Sequence, residues 1–168
     1  MPGVRADNAK LGGMERSYAA ENARALERLR ALVSRLSDQD LGAMANEYWT
    51  VAGVLGHMAF WDGRALFLAG KLQRDGAFTP SDTEPESVDW INDSTRPLIH
   101  AIAPRQAAEV ALRIAEETDE LIASLPRELV AKIDDNSPLN LVRAHHRGEH
   151  LDEIEAALAS RDATRRPT

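Results

Sequence analysis

Apolar residues return at three- and four-residue steps along most of the chain, and nowhere do they alternate with polar ones for long. That period belongs to helices with one buried face, and it predicts no strand. A first helix is expected from about Met14 to Leu36, with Tyr18, Leu26, Leu29, Val33 and Leu36 as its buried stripe. Ser37, Asp38 and Gly42 mark a loop. A second helix is expected after Thr50, a good N-cap, and runs to about Leu72 with Val54, His57, Trp61, Ala65 and Leu68 in its buried row. Residues 73–86 carry Gly, Pro and acidic side chains and read as a loop, long enough to cross a bundle. A shorter helix is expected near Val88–His100, bent or divided by Pro97. Pro104 opens another, to about Leu125, with Ala107, Val110, Ile114, Leu121 and Ile122 inward, and Pro126 stops it. Residues 127–133 read as a turn or short helix. Ser137 and Pro138 suit the cap and first position of a last helix that runs to about Ser160. The pattern implies an all-α fold: a four-helix bundle with a long crossover connection and a short extra helix.

Composition narrows the class. The 168 residues suit one domain, expected over 14–160, with residues 1–13 and 161–168 as loose polar tails. There is no Cys, so a disulfide framework, a thiolate metal site and a cysteine nucleophile are excluded. Twenty basic against 27 acidic residues leave a formal charge of −7, which repels phosphate backbones and argues against a nucleic-acid partner. No apolar run approaches the roughly 18 residues of a membrane span. The N-terminal stretch lacks the apolar segment of a signal peptide. The expectation is a soluble cytoplasmic domain with a small-molecule substrate.

Candidate chemistry lies in the histidines. Four-residue steps along the last helix read Val142, His146, His150, Ile154, Leu158, so two histidines occupy places in a row of aliphatic residues. Residues at i and i+4 are neighbours on one helix face, which lets the two imidazoles converge. His57 sits between Val54 and Trp61 in the same manner. A lone buried His is usually a core residue with a backbone partner. Three imidazoles turned inward from two helices are costly unless each is hydrogen-bonded or ligated, and a divalent metal meets that need. Three His ligands leave a coordination position open, as in catalytic sites. His145 is turned about 100° off the ligand face. With Asp62, Glu149 and Glu153 it is a candidate to orient a ligand imidazole through its other nitrogen or simply to face solvent. His100 and Arg147 are expected at the surface or in packing, and Trp49 and Trp61 in the packing of the second helix. Residues 146–150 also fit the H-x-x-E-H pattern of inverted zinc proteases, with Glu149 as base. That reading leaves His57 unused and lacks a substrate-binding strand.

The segment Trp49-Thr50-Val51-Ala52-Gly53-Val54-Leu55-Gly56-His57-Met58-Ala59-Phe60-Trp61-Asp62 resembles the signature of the DinB-like (YfiT-like) superfamily. His146-Arg147-Gly148-Glu149-His150-Leu151-Asp152-Glu153-Ile154 resembles its C-terminal H-x-x-x-H helix, and Val88-Asp89-Trp90-Ile91-Asn92 is similar to the opening of its third region. The resemblance spans about Met14 to Ser160. It implies a four-helix bundle with one crossover, commonly a homodimer. It also implies a metal, zinc or nickel, on His57, His146 and His150. Some members place the last His directly before an Arg-Gly pair; in that register the pair here would be Val142 and His146, and Val cannot ligate. The register His146/His150 keeps both ligands, with His145 in reserve.

Members of that superfamily include S-transferases that use low-molecular-weight thiols and a toxin-resistance protein. The resemblance therefore implies a metal-dependent transferase that activates an external thiol. A hydrolase that activates water and a metal-stabilised, non-catalytic binding module are the alternatives.

Overall fold

The computed structural model describes the backbone of residues 4–85 and 87–165 and the side chains of residues 17–85 and 87–164. Over these residues the chain is all-helical, with seven α-helices: α1 (Val4–Arg35), α2 (Asp38–Leu41), α3 (Val51–Asp75), α4 (Val88–His100), α5 (Pro104–Ser124), α6 (Arg127–Val130) and α7 (Ala144–Arg165). The nearest approach to a strand among them is an isolated bridge between Met44 and Thr50. None of these helices is long and apolar enough to cross a membrane.

The helix boundaries follow from local chemistry. Helix α1 begins ten residues before the expected Met14, and α7 runs past Ser160. The expected tails are therefore helical at 4–13 and 161–165, while 1–3 and 166–168 lie outside the described residues. Residues 4–11 and 14–16 are mostly good helix formers, and Gly12 and Gly13 cost only about 1 kcal/mol each. No Gly or Pro interrupts 149–166. Thr50 caps α3 as expected, its hydroxyl accepting the Gly53 N–H. The helix ends at Gly76, whose φ of +76° is a left-handed conformation that glycine adopts without strain. Helix α4 continues unbroken through Pro97.

The start of α7 differs from the expected Ser137. That hydroxyl instead closes a local turn, accepting from Asp134 N and donating to Asp134 Oδ1. Asn22 of α1 sets the actual start: its Nδ2 donates to Leu141 O at 2.9 Å and its Oδ1 accepts Ala144 N–H at 3.0 Å. A side chain from another helix thus satisfies an orphan donor of the first turn.

Helices α1 and α3 each pack against α5 and α7, and α3–α5 is the most extensive of these contacts. The expected stripe of α1 is buried throughout. On α5 the deepest face is Ala107, Ala108, Ala111, Ala115, Thr118 and Ile122, while Val110, Ile114 and Leu121 are only half buried. Small residues let the two backbones approach closely, so the bulky row flanks the contact. Opposite it, a Cβ on Gly63 or Gly70 of α3 would sit 3.8 or 3.7 Å from Ile114 or Leu121. Helix α4 lies on the N-terminal half of α3, so close that a Cβ on Gly56 would fall 2.6 Å from Ile99 Cγ2. In the loop after α3, Lys71 Nζ binds both oxygens of Asp82 at 2.6 Å. This contact, with help from Thr79, holds the Asp82 carboxyl down at about 2.

Candidate metal centre

Two helices bring the three histidines together. His57 projects from the capped, apolar first half of α3, which carries no charged residue between Val51 and Trp61. His146 and His150 lie one turn apart on α7. The ring centroids are 5.4 Å apart for His57–His146, 4.8 Å for His57–His150 and 4.7 Å for His146–His150. One nitrogen from each ring lies within 4.8 Å of the others, so the three could hold a metal ion. Around tetrahedral zinc with imidazole bonds of about 2.0–2.1 Å such atoms would stand about 3.3–3.4 Å apart, so separations of up to 4.8 Å would have to shorten on loading.

Burial keeps two of the three rings unprotonated at neutral pH. Burial pushes His57 down to about 4; His150 adds to the effect and Glu153 opposes it. Burial, then His150, Arg143, His57 and Arg147, push His146 down to about 3. Both rings are therefore neutral at pH 7, the form that ligates. Nδ1 of His57 and Nδ1 of His146 are buried with no hydrogen-bond partner. A buried nitrogen without a partner is an uncompensated cost, and a cation is one group able to remove it.

His150 is oriented differently. Its Nδ1 meets Glu153 Oε2 at 3.1 Å, one helical turn on. Glu153 is itself held by the amide of Asn46, whose Oδ1 accepts the N–H groups of Tyr48 and Trp49. The turn before α3 thus fixes a carboxylate, and the carboxylate fixes a ring, leaving Nε2 of His150 for a ligand. We expect Glu153→Ala to bind zinc 10–100-fold more weakly than wild type in a chelator competition, the usual cost of losing such a partner. Unchanged affinity would contradict this role.

The other residues expected around the imidazoles lie elsewhere. Asp62 is buried, but it accepts from Arg143 Nε at 2.9 Å and Arg147 Nε at 2.7 Å rather than from a histidine. Arg147, expected at the surface, is 0% exposed. It also donates to both oxygens of Asp119, at 2.8 and 2.9 Å, and to Ala115 O. Two guanidinium groups and two carboxylates balance in charge and lock α7 to α3 and α5 behind His146. The deepest residues of α7 are thus Arg147, Leu151 and Ile154, with buried Arg143 just before the helix. Glu149 is exposed, so the protease pattern lacks its base at the site. His145 is exposed with Nε2 3.9 Å from Glu21. His100 packs its ring edge-on to Trp49 at 5.1 Å, and that indole also contacts His57.

A cavity of about 140 Å³ opens beside the rings, lined by Asn46, Trp49, Val54, His57, Asn92, His150 and Glu153. Asn46, Asn92 and the buried arginines were not visible as site residues in the sequence. The one available signal was a carboxylate, Asp62, at the end of a charge-free helical run, with two arginines four apart on another helix. Compared with known proteins, the chain matches no family model, no curated protein and no solved structure.

Proposed function

We propose that the chain is a DinB-like four-helix bundle that holds one divalent ion, zinc or nickel, on His57, His146 and His150. In this reading it is an enzyme that activates an external low-molecular-weight thiol for transfer to an electrophilic small molecule. The observation that carries it is the convergence of three imidazoles beside a small cavity, with no carboxylate in the ligand group among the described residues. A His-only set leaves a position open for an incoming ligand. Zinc is borderline-soft and accepts sulfur, and the bound ion lowers the pKa of a thiol that reaches it. The chain has no Cys, so the thiol comes from outside.

The protein's own residues prepare that event. His57 and His146, kept neutral by burial, offer lone pairs without competition from protons at pH 7. Glu153 holds the His150 ring, and Asn46 holds Glu153. Trp49 and Val54 form the apolar wall that limits water around the rings. The Asp62–Arg147 network fixes the register of α7, so that its two rings meet the one from α3. A homodimer and a cytoplasmic setting accompany the resemblance.

The test is turnover of chlorodinitrobenzene by metal-free and zinc- or nickel-reconstituted protein, with cysteine, glutathione and other small thiols. We expect turnover only with both ion and thiol, and loss of it in His146→Ala. Hydrolysis without thiol would favour water activation. Ion binding without turnover under any thiol would favour the non-catalytic module.

A further inference from the structure

Helix α4 is fixed against α3 near both of its ends. Asn92 Oδ1 accepts the indole N–H of Trp61 at 3.0 Å. Ile99 and His100 fill the space where Gly56 and Gly53 of α3 have no Cβ; one added there would fall 2.6 Å from Ile99 Cγ2 and 2.5 Å from His100 Nε2. Arg96 lies between these anchors, one turn after Asn92. Its guanidinium carbon sits over the Tyr48 ring, 5.0 Å from the centroid, and over the Trp49 ring at 5.4 Å. Its Nη2 donates to Asp93 of the same helix, while its Nε is buried without a hydrogen-bond partner. With no acceptor at Nε, the two ring faces are what this cation packs against.

Tyr48 and Trp49 close the turn before α3. Tyr48 is more than half exposed, so the core holds little of it. The N–H groups of both residues donate to Asn46 Oδ1, at 2.8 and 2.9 Å. Two N–H donors settle which end of that amide is oxygen, so Nδ2 is the end that donates to Glu153 Oε1. The other oxygen of Glu153 meets His150 Nδ1. Direct contacts thus run from a cation on α4, through two aromatic residues and one amide, to a carboxylate and an imidazole on α7.

We propose that Arg96 is a positioning residue for the metal centre. By holding the faces of Tyr48 and Trp49 it fixes the turn that presents Asn46 to Glu153, and so the orientation of the His150 ring. This inference rests on the three-histidine metal reading and adds to it a residue that touches no ligand.

The experiment measures zinc affinity by chelator competition in wild type, Arg96→Met, Glu153→Ala and the double variant, with Arg96→Lys as the rescue. Met keeps the reach of the side chain without its charge, and Lys keeps a cation over the rings. A cation–π contact at a partly exposed site corresponds to roughly a two- to fivefold change in affinity. We expect Arg96→Met to bind zinc weaker by about that factor, a smaller loss than that of Glu153→Ala, through which it acts. In the Glu153→Ala background the path is already cut, so Arg96→Met should change the affinity little, and Arg96→Lys should recover most of it in the otherwise wild-type protein. A general loosening of the fold would weaken both backgrounds alike. Equal losses in the two backgrounds, no loss in either, or equal losses in Arg96→Met and Arg96→Lys overturn the role of Arg96 and leave the metal site standing. No zinc binding by wild type overturns the three-histidine reading and this inference with it.

Discussion

Asp62→Ala melts roughly 6–20 °C below the wild-type protein, the largest loss expected from any single polar substitution here. The carboxylate is 1% exposed and is the common partner of Arg143 and Arg147. Its removal leaves the Nε atoms of both guanidinium groups without an acceptor in the interior. Breaking a buried pair from one side costs about 3–5 kcal/mol because the remaining charge stays buried. In a domain of this size each kcal/mol moves the melting temperature by roughly 2–4 °C. Asp62→Asn loses the charge but keeps the shape, so it should fall between the two. Calorimetry of the three proteins is the check, and a Asp62→Ala transition within a degree of wild type would contradict the network's role. Because the same network seats α7 against α3, we expect Asp62→Ala to weaken metal binding as well, although Asp62 touches none of the histidines.

Replacing any one of His57, His146 or His150 with alanine removes a third of the proposed ligand set, and its effect on metal affinity should exceed the 10–100-fold expected of an outer partner. The effect on the fold runs the other way for two of them. Nδ1 of His57 and Nδ1 of His146 are buried without hydrogen-bond partners. His146→Leu, which fills similar space without a polar atom, should leave the melting temperature of metal-free protein unchanged or higher. Saturating zinc should then raise the melting temperature of wild type, by RT ln(1 + [L]/Kd), and leave that of His146→Leu alone. Equal zinc-induced shifts in the two proteins would show that the ion binds elsewhere.

The parts of this molecule that were legible in the sequence are those governed by local periodicity. Tyr18, Leu26, Leu29, Val33 and Leu36 are buried as their spacing requires. The three histidines stood out as polar residues in rows otherwise aliphatic or aromatic, and the structure brings them together. What was illegible depends on partners far along the chain. Arg147 is buried because carboxylates 85 and 28 positions away receive it, and no local pattern distinguishes such an arginine from a surface one. The start of α7 is set by Asn22, 119 and 122 positions upstream of the groups it binds, which overrides a good cap at Ser137. On α5, Ala107 and Ile122 are buried as expected, but Val110, Ile114 and Leu121 flank the contact because the closest helix approach selects alanine over size. Asn46 and Asn92 sit in or beside turns and helix ends where an amide has many ordinary uses, and only their contacts with Glu153 and Trp61 reveal these.

X-ray absorption on untagged protein loaded with one equivalent of zinc tests the central claim most directly. The account predicts three imidazole nitrogens at about 2.0–2.1 Å, falling to two in His57→Ala. A zinc environment with one imidazole or none, or one unchanged by His57→Ala, would contradict it.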